Sequence, residues 1–220
     1  MKDNIKKHRI FFWILYIPVY FIFFTWLEKR NDVAFHIIHT GLDDKIPFCK
    51  YFIIPYVIWF FYVFLSVAYF ILYERQEFNR LAWFLALGMT TFLIVSWLYP
   101  NKLMLRPDTV TGNDICARLV RRLYASDTST NVMPSIHVYN SIVVAVAFLK
   151  SKANKKHHIV GICSVILSAL IIISTMFVKQ HSVVDVVTAM DMAVVYYLII
   201  YVLPQFVCDK SIRQLKSDYK

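Results

Sequence analysis

Residues 51–73 read YFIIPYVIWFFYVFLSVAYFILY, a stretch with no charged side chain. Wound as an α-helix it extends about 35 Å, enough to cross a hydrocarbon core of about 30 Å. The chain as a whole calls for the same solvent. Of its 220 residues, 59% are hydrophobic and 17% aromatic, and the mean hydropathy is +0.54. That is more apolar surface than a water-soluble domain of this length encloses. Working outward, a similar run precedes this one at 10–26, and others follow at 81–99, 136–149, 158–178 and 183–207. The fourth is short, and the sixth carries Asp185 and Asp191. The expectation is an all-α polytopic membrane protein, with about six transmembrane helices in one bundle and a single domain over residues 1–220.

Lys2, Lys6, Lys7 and Arg9 precede the first run, as they would a signal peptide, but no small-residue cleavage site follows it. Aromatic residues fill the run and the charged segment 28–32 closes it, so a retained helix is expected. The formal charge of +10 would suggest nucleic acid as the partner of a soluble protein. Here much of it sits in short segments between spans, densest in 150–156, and reads as topology. The positive-inside rule places both termini, 74–80 and 150–157 in the cytoplasm. It places 28–50, 100–134 and 179–182 outside, in what is expected to be the plasma membrane. No nucleic acid partner is implied. Cys49, Cys116, Cys163 and Cys208 have no metal-ligand or disulfide spacing and read as packing residues.

The longest polar stretch, 100–134, is where chemistry is expected. Within it Ile115, Leu119 and Leu123 oppose Arg118, Arg121 and Arg122 at helical spacing, as in a helix lying on a membrane surface. A transporter would scatter ionisable residues near the midplane of broken helices. In this sequence they gather near one face. Asp191 is the exception, and a bond to a neighbouring helix is expected for it.

Three short segments put ionisable groups at span ends, where burial is costly without a function. Arg106-Pro107 offers a permanently charged, forked donor suited to phosphate oxygens, although an arginine before proline in a loop is more often a solvated turn residue. Pro134-Ser-Ile-His137 opens the fourth span, with Ser135 at the anion-attracting end of a helix. His137 is placed to donate a proton to a departing alkoxide, or to be a polar core residue. Finally, His181 and Asp185 stand four apart where the sixth span begins. If the helix starts near His181 they share a face, and the carboxylate holds one ring nitrogen while the other is free to attack. An intrahelical polar pair would look the same.

Together, in this order, the three segments resemble the type-2 phosphatidic acid phosphatase and haloperoxidase superfamily, whose membrane branch has about six helices. Its patterns are K-x6-R-P, P-S-G-H and S-R-x5-H-x3-D. Arg106-Pro107 fits the end of the first, Pro134-Ser135 and His137 the second, and Ser174, His181 and Asp185 the third. The likeness covers residues 95–200. It implies that His181 is a nucleophile forming a phosphohistidine, Asp185 its orienting partner, His137 the general acid, and Arg106 and Ser135 phosphate ligands. It also implies a lipid phosphate substrate, such as phosphatidic acid or a polyprenyl pyrophosphate, and no metal or other cofactor.

Tyr99, Ile136 and Thr175 stand where the patterns have lysine, glycine and arginine. Lys179, four residues after Thr175 on an extended fifth helix, is expected to reach the same phosphate oxygens. Lys102 is expected to stand in for the lost lysine. The Lys179-Gln-His181 sequence is similar to the inositol-phosphorylceramide synthase branch, which implies headgroup transfer to a polyol or lipid acceptor as an alternative to hydrolysis. A non-catalytic binder of lipid headgroups is the remaining alternative.

Overall fold

The computed structural model describes residues 2–30 and 32–205. Its main elements are eight helices, α1 Lys2–Glu28, α2 Ile53–Tyr73, α3 Arg75–Leu98, α4 Ile115–Ser126, α5 Ile136–Lys150, α6 Lys152–Lys156, α7 Ile159–Phe177 and α8 Val183–Tyr197, the last running on as a π-helical turn Leu198–Val202. Four helical stretches are long and apolar enough to cross a membrane: Lys50–Tyr73, Arg75–Leu98, Ile159–Phe177 and Val183–Gln205. Leu15–Glu28 and Ile136–Lys150 are shorter apolar helices that complete the expected six. Large apolar side chains line the outside, with Phe64 and Leu72 each 70% exposed, as a lipid-facing surface requires.

α5 is the axis of the bundle, packed against α2, α3, α7 and α8. Its Val138, Tyr139, Val143, Val144 and Ala147 are fully buried. Small residues let neighbours come close. The Tyr139 ring lies against Gly88 of α3, and its hydroxyl donates to the Phe84 carbonyl at 2.6 Å. Other polar pairs join helices in the apolar interior, Tyr62 with Ser164 (2.6 Å) and Thr91 with Tyr196 (2.6 Å).

Several expectations need correction. The inner segment 74–80 is not a loop, since α3 starts at Arg75 and only Glu74 interrupts the helices. Hydropathy alone put the start at Leu81 because it penalises Glu74 and Glu77, which are both buried. Tertiary partners explain them. Glu74 accepts from the backbone N–H groups of Lys152 (2.7 Å) and Ala153 (3.2 Å) at the start of α6, and Glu77 accepts from the Tyr201 hydroxyl. The amphipathic helix exists as α4, capped by the Asp114 side chain, but Ile115 is 60% exposed and the buried face is Cys116, Ala117 and Val120. Asp191 is exposed, and among the described residues no hydrogen bond joins it to a neighbouring helix. Cys116 is buried as a packing residue, Cys49 is half-buried and Cys163 is exposed, while Cys208 lies outside the described residues.

Two short strands were not expected. β1 (His36–Ile38) and β2 (Asn101–Leu103) pair in parallel, which ties the first outer segment to the 100–134 loop. Asn101, fully buried, then shapes the approach to α5: its Oδ1 accepts from Val132 N (2.8 Å) and Met133 N (2.9 Å). This fixes the end of the bundle at which α5 and α8 begin and α3 and α7 end.

The contact at Gly88 is a direct test of the packing. A Cβ there would fall 2.0 Å from the Tyr139 ring, whereas one at Gly41 meets nothing within 4 Å. Gly88→Ala should therefore destabilise the detergent-solubilised protein by about 1–3 kcal/mol through overpacking. Gly41→Ala should leave the melting temperature unchanged.

Candidate active site

His181 lies in the turn between α7 and α8, one residue ahead of the Ser182 N-cap. The helix begins at Val183 rather than near His181, so the His181–Asp185 pair is not two residues on one helical face. It is made by a capping box. The Ser182 side chain accepts from the first turn, and Asp185 reaches back to accept from Ser182 N at 2.8 Å. The same Asp185 Oδ2 stands 3.4 Å from His181 Nδ1. With Nδ1–H donating to that carboxylate, the lone pair is on Nε2.

A second carboxylate serves the same helix end. Asp43, 2% exposed, accepts from the Ser182 hydroxyl (2.6 Å) and from Val183 N (2.8 Å). It also accepts from Thr40 N at 2.8 Å, which closes its own turn. A helix N-terminus has unpaired N–H groups and the positive end of the dipole, so two carboxylates there are stabilised. Sequence reasoning missed Asp43, because it lies far along the chain from the helix it caps and matches no local motif.

The turn itself differs from expectation at Lys179. α7 ends at Phe177, and Lys179 takes a left-handed conformation with φ of 54°. It does not continue the face of Thr175. Its ammonium donates to the carbonyls of Asp43 (2.8 Å) and Ile46 (2.5 Å), so it holds the first outer segment onto the turn. Thr175, in the place of the family arginine, is fully buried, and its hydroxyl donates to the Ile172 carbonyl (2.7 Å). Its own carbonyl accepts from Gln180 N (2.9 Å) and His181 N (3.2 Å), which pins the backbone of the turn. Tyr124 of α4 donates to the Val178 carbonyl at 2.7 Å, and Cys49 N donates to the Phe177 carbonyl at 2.9 Å.

Across the turn stands the start of α5. Ser135 is its N-cap, accepting from Val138 N at 3.3 Å, and Ser135 N donates to the Asp185 carbonyl at 3.2 Å. His137 packs between α2 and the turn, with ring centroids 4.6 Å from Tyr56, 4.2 Å from Trp59 and 5.6 Å from His181. Its Nε2 is buried without a hydrogen-bond partner among the described residues.

Arg106 completes the cluster from the long loop. It donates to the carbonyls of Asp127 (2.8 Å) and Thr128 (2.9 Å) and to Gln180 Oε1 (2.7 Å), and its guanidinium lies 4.8 Å from the Tyr124 ring centre. Asp127 stands beside it, Oδ2 3.5 Å from Nη2. Burial pushes the Asp127 carboxyl above its ordinary range, against the pull of Arg106 and then of His181. Asp127 is another residue that no motif pointed to.

The structure therefore brings together His181, Asp185, His137 and Ser135, with Arg106 joined to them through Gln180. Lys102 is not part of this group. It lies in β2 opposite Ile37, and among the described residues no hydrogen bond links its side chain to His181, His137 or Arg106. Tyr99, where the family lysine would be, stacks on His36 at 4.2 Å.

Removing Asp43 should loosen the turn. Asp43→Ala leaves Val183 N and the Ser182 hydroxyl without their acceptor, and should lower stability by about 1–3 kcal/mol in a thermal melt.

A family model described as the PAP2 superfamily matches residues 81–207, more than half of the chain. The match spans α3 to α8 and takes in Arg106, Ser135, His137, His181 and Asp185. Neither the curated proteins nor the solved structures provide a match.

Proposed function

The chain belongs to the PAP2 superfamily, which generally catalyses phosphoryl transfer, and on that premise we propose that it hydrolyses a phosphate monoester or pyrophosphate of a membrane lipid through a phosphohistidine at His181. The observation that carries this reading is the orientation of His181. Its Nδ1 faces a fully buried carboxylate, no hydrogen bond engages Nε2 among the described residues, and a second histidine ring lies 5.6 Å away. The 3.4 Å separation is long, as catalytic hydrogen bonds often are before substrate tightens them.

In the first step Nε2 of His181 attacks phosphorus in line as the bond to the leaving oxygen breaks. His137 supplies the proton that the departing alkoxide or phosphate takes. In the second, the oxygen of water attacks phosphorus, the P–N bond breaks, and His137 accepts the water's proton. Asp185 holds the imidazole in the reactive tautomer and stabilises its positive charge. Arg106 and the N-terminus of α5 at Ser135 offset charge on the equatorial oxygens.

The cluster sits at one end of an apolar bundle, where a headgroup reaches polar atoms while its tails remain among the lipids. The basic segments of the sequence favour the non-cytoplasmic side for that end.

The test is phosphate release from a panel of lipid phosphates and pyrophosphates in detergent with chelator, with polyols added in parallel. Wild type should release phosphate, His181→Ala should release none, and Asp185→Asn should lose about 10³- to 10⁴-fold in kcat. A polyol-dependent phosphorylated product would move the reaction to transfer. Release that survives in His181→Ala would contradict the mechanism.

A further inference from the structure

The position next to the nucleophile has an arrangement that neither the family patterns nor the contacts within the fold explain. Gln180 is 3% exposed, and its Oε1 accepts from Arg106 Nη2 at 2.7 Å. A guanidinium is only a donor, so the amide must turn its oxygen toward Arg106. Its Nε2, with two N–H groups, is buried and has no acceptor among the described residues. Arg106, which makes that contact through Nη2, has its Nε buried too, with no acceptor among the described residues. Buried donors in folded proteins are nearly always paired, so two without acceptors, on residues bonded to each other, point to a missing partner that accepts hydrogen bonds.

Resting on the reading proposed above, we propose that Gln180 is a phosphate ligand, its carboxamide N–H donating, with Arg106 Nε, to the non-bridging oxygens of the phosphoryl group at His181. It takes over the donor role that Thr175 does not fill.

Three features make the geometry durable. Gln180 N and His181 N are both bonded to the Thr175 carbonyl, so ligand and nucleophile belong to one rigid turn. The Thr175 hydroxyl is committed to Ile172, and the Lys179 ammonium to Asp43 and Ile46. Arg106 fixes the amide's orientation from outside the turn. The result replaces one charged donor by a neutral one at the reacting phosphorus, and Arg106 is left as the cation bonded into the cluster among the described residues.

The experiment is binding of orthovanadate, a tetrahedral phosphate mimic, to the full-length protein in detergent, read by thermal shift. Gln180→Glu keeps an acceptor oxygen toward Arg106 and exchanges the donors for a second acceptor. Gln180→Met keeps similar volume with neither. Wild type should be stabilised by orthovanadate, and both variants should bind it about ten- to a hundredfold more weakly while melting like wild type without it. Wild-type affinity in either folded variant would overturn the proposal. So would a wild type that does not bind orthovanadate, or a failure of both variants to fold, which would make Gln180 a structural residue. Binding that depends on Gln180 without any His181-dependent phosphate release would retain this inference and overturn the catalytic reading.

Discussion

The N-terminal end of α8 has backbone N–H groups with no partner inside the helix: the Ser182 hydroxyl accepts from Val184 N, and two carboxylates accept from Ser182 N and Val183 N. Asp185 comes from the helix itself, and Asp43 from a segment more than 130 residues earlier. Lys179 completes the circuit by donating to the carbonyl of Asp43, so the turn and the outer segment hold each other. His181 is caught inside this ring. Its imidazole faces Asp185 because the capping box has already fixed where that carboxylate stands. The geometry of the His181–Asp185 pair is thus a by-product of satisfying a helix end in an environment where unpaired polar groups cost several kcal/mol.

The rest of the polar end follows from the same constraint. The last carbonyls of α7 are taken up by Tyr124 and Cys49, which brings α4 and the first outer segment against the turn. The bond from Ser135 N to the Asp185 carbonyl sets α5 beside α8, and so sets His137 beside His181. What the fold leaves unpaired is equally telling. Among the described residues, His137 Nε2, Arg106 Nε, Gln180 Nε2 and Asp185 Oδ1 of this cluster are buried without hydrogen-bond partners, as are Trp59 Nε1 beside His137, Ser96 Oγ on α3 and Asn140 Oδ1 on α5. Elsewhere in the interior, hydroxyls such as Tyr62, Tyr139 and Thr91 find partners on adjacent helices.

The apolar spans were legible because a membrane imposes length and composition directly on sequence. Where hydropathy misjudged a boundary, at the start of α3, buried Glu74 and Glu77 were the reason, since their partners come from α6 and from Tyr201 at the far end of α8. The site residues named by motif lie together, but the route to their arrangement was not readable. The four-residue spacing of His181 and Asp185 suggested a helical face, whereas the histidine lies outside the helix. Helical periodicity sets Lys179 on the face of Thr175, and it fails because α7 ends at Phe177 and Lys179 is left-handed. Asp43, Asn101 and Asp127 carry no local signature, because each acts on backbone or side chains that only the tertiary fold brings near.

In the proposed mechanism His181 itself carries the phosphoryl group. The most direct measurement is a rapid alkaline quench of the enzyme with a radiolabelled lipid phosphate that it turns over, followed by mapping of the labelled peptide. The expected product is an acid-labile, base-stable phosphohistidine at residue 181, absent in His181→Ala and longer-lived in His137→Ala. Label on another residue, or rapid turnover with no labelled protein under conditions where the second step is slowed, would contradict it.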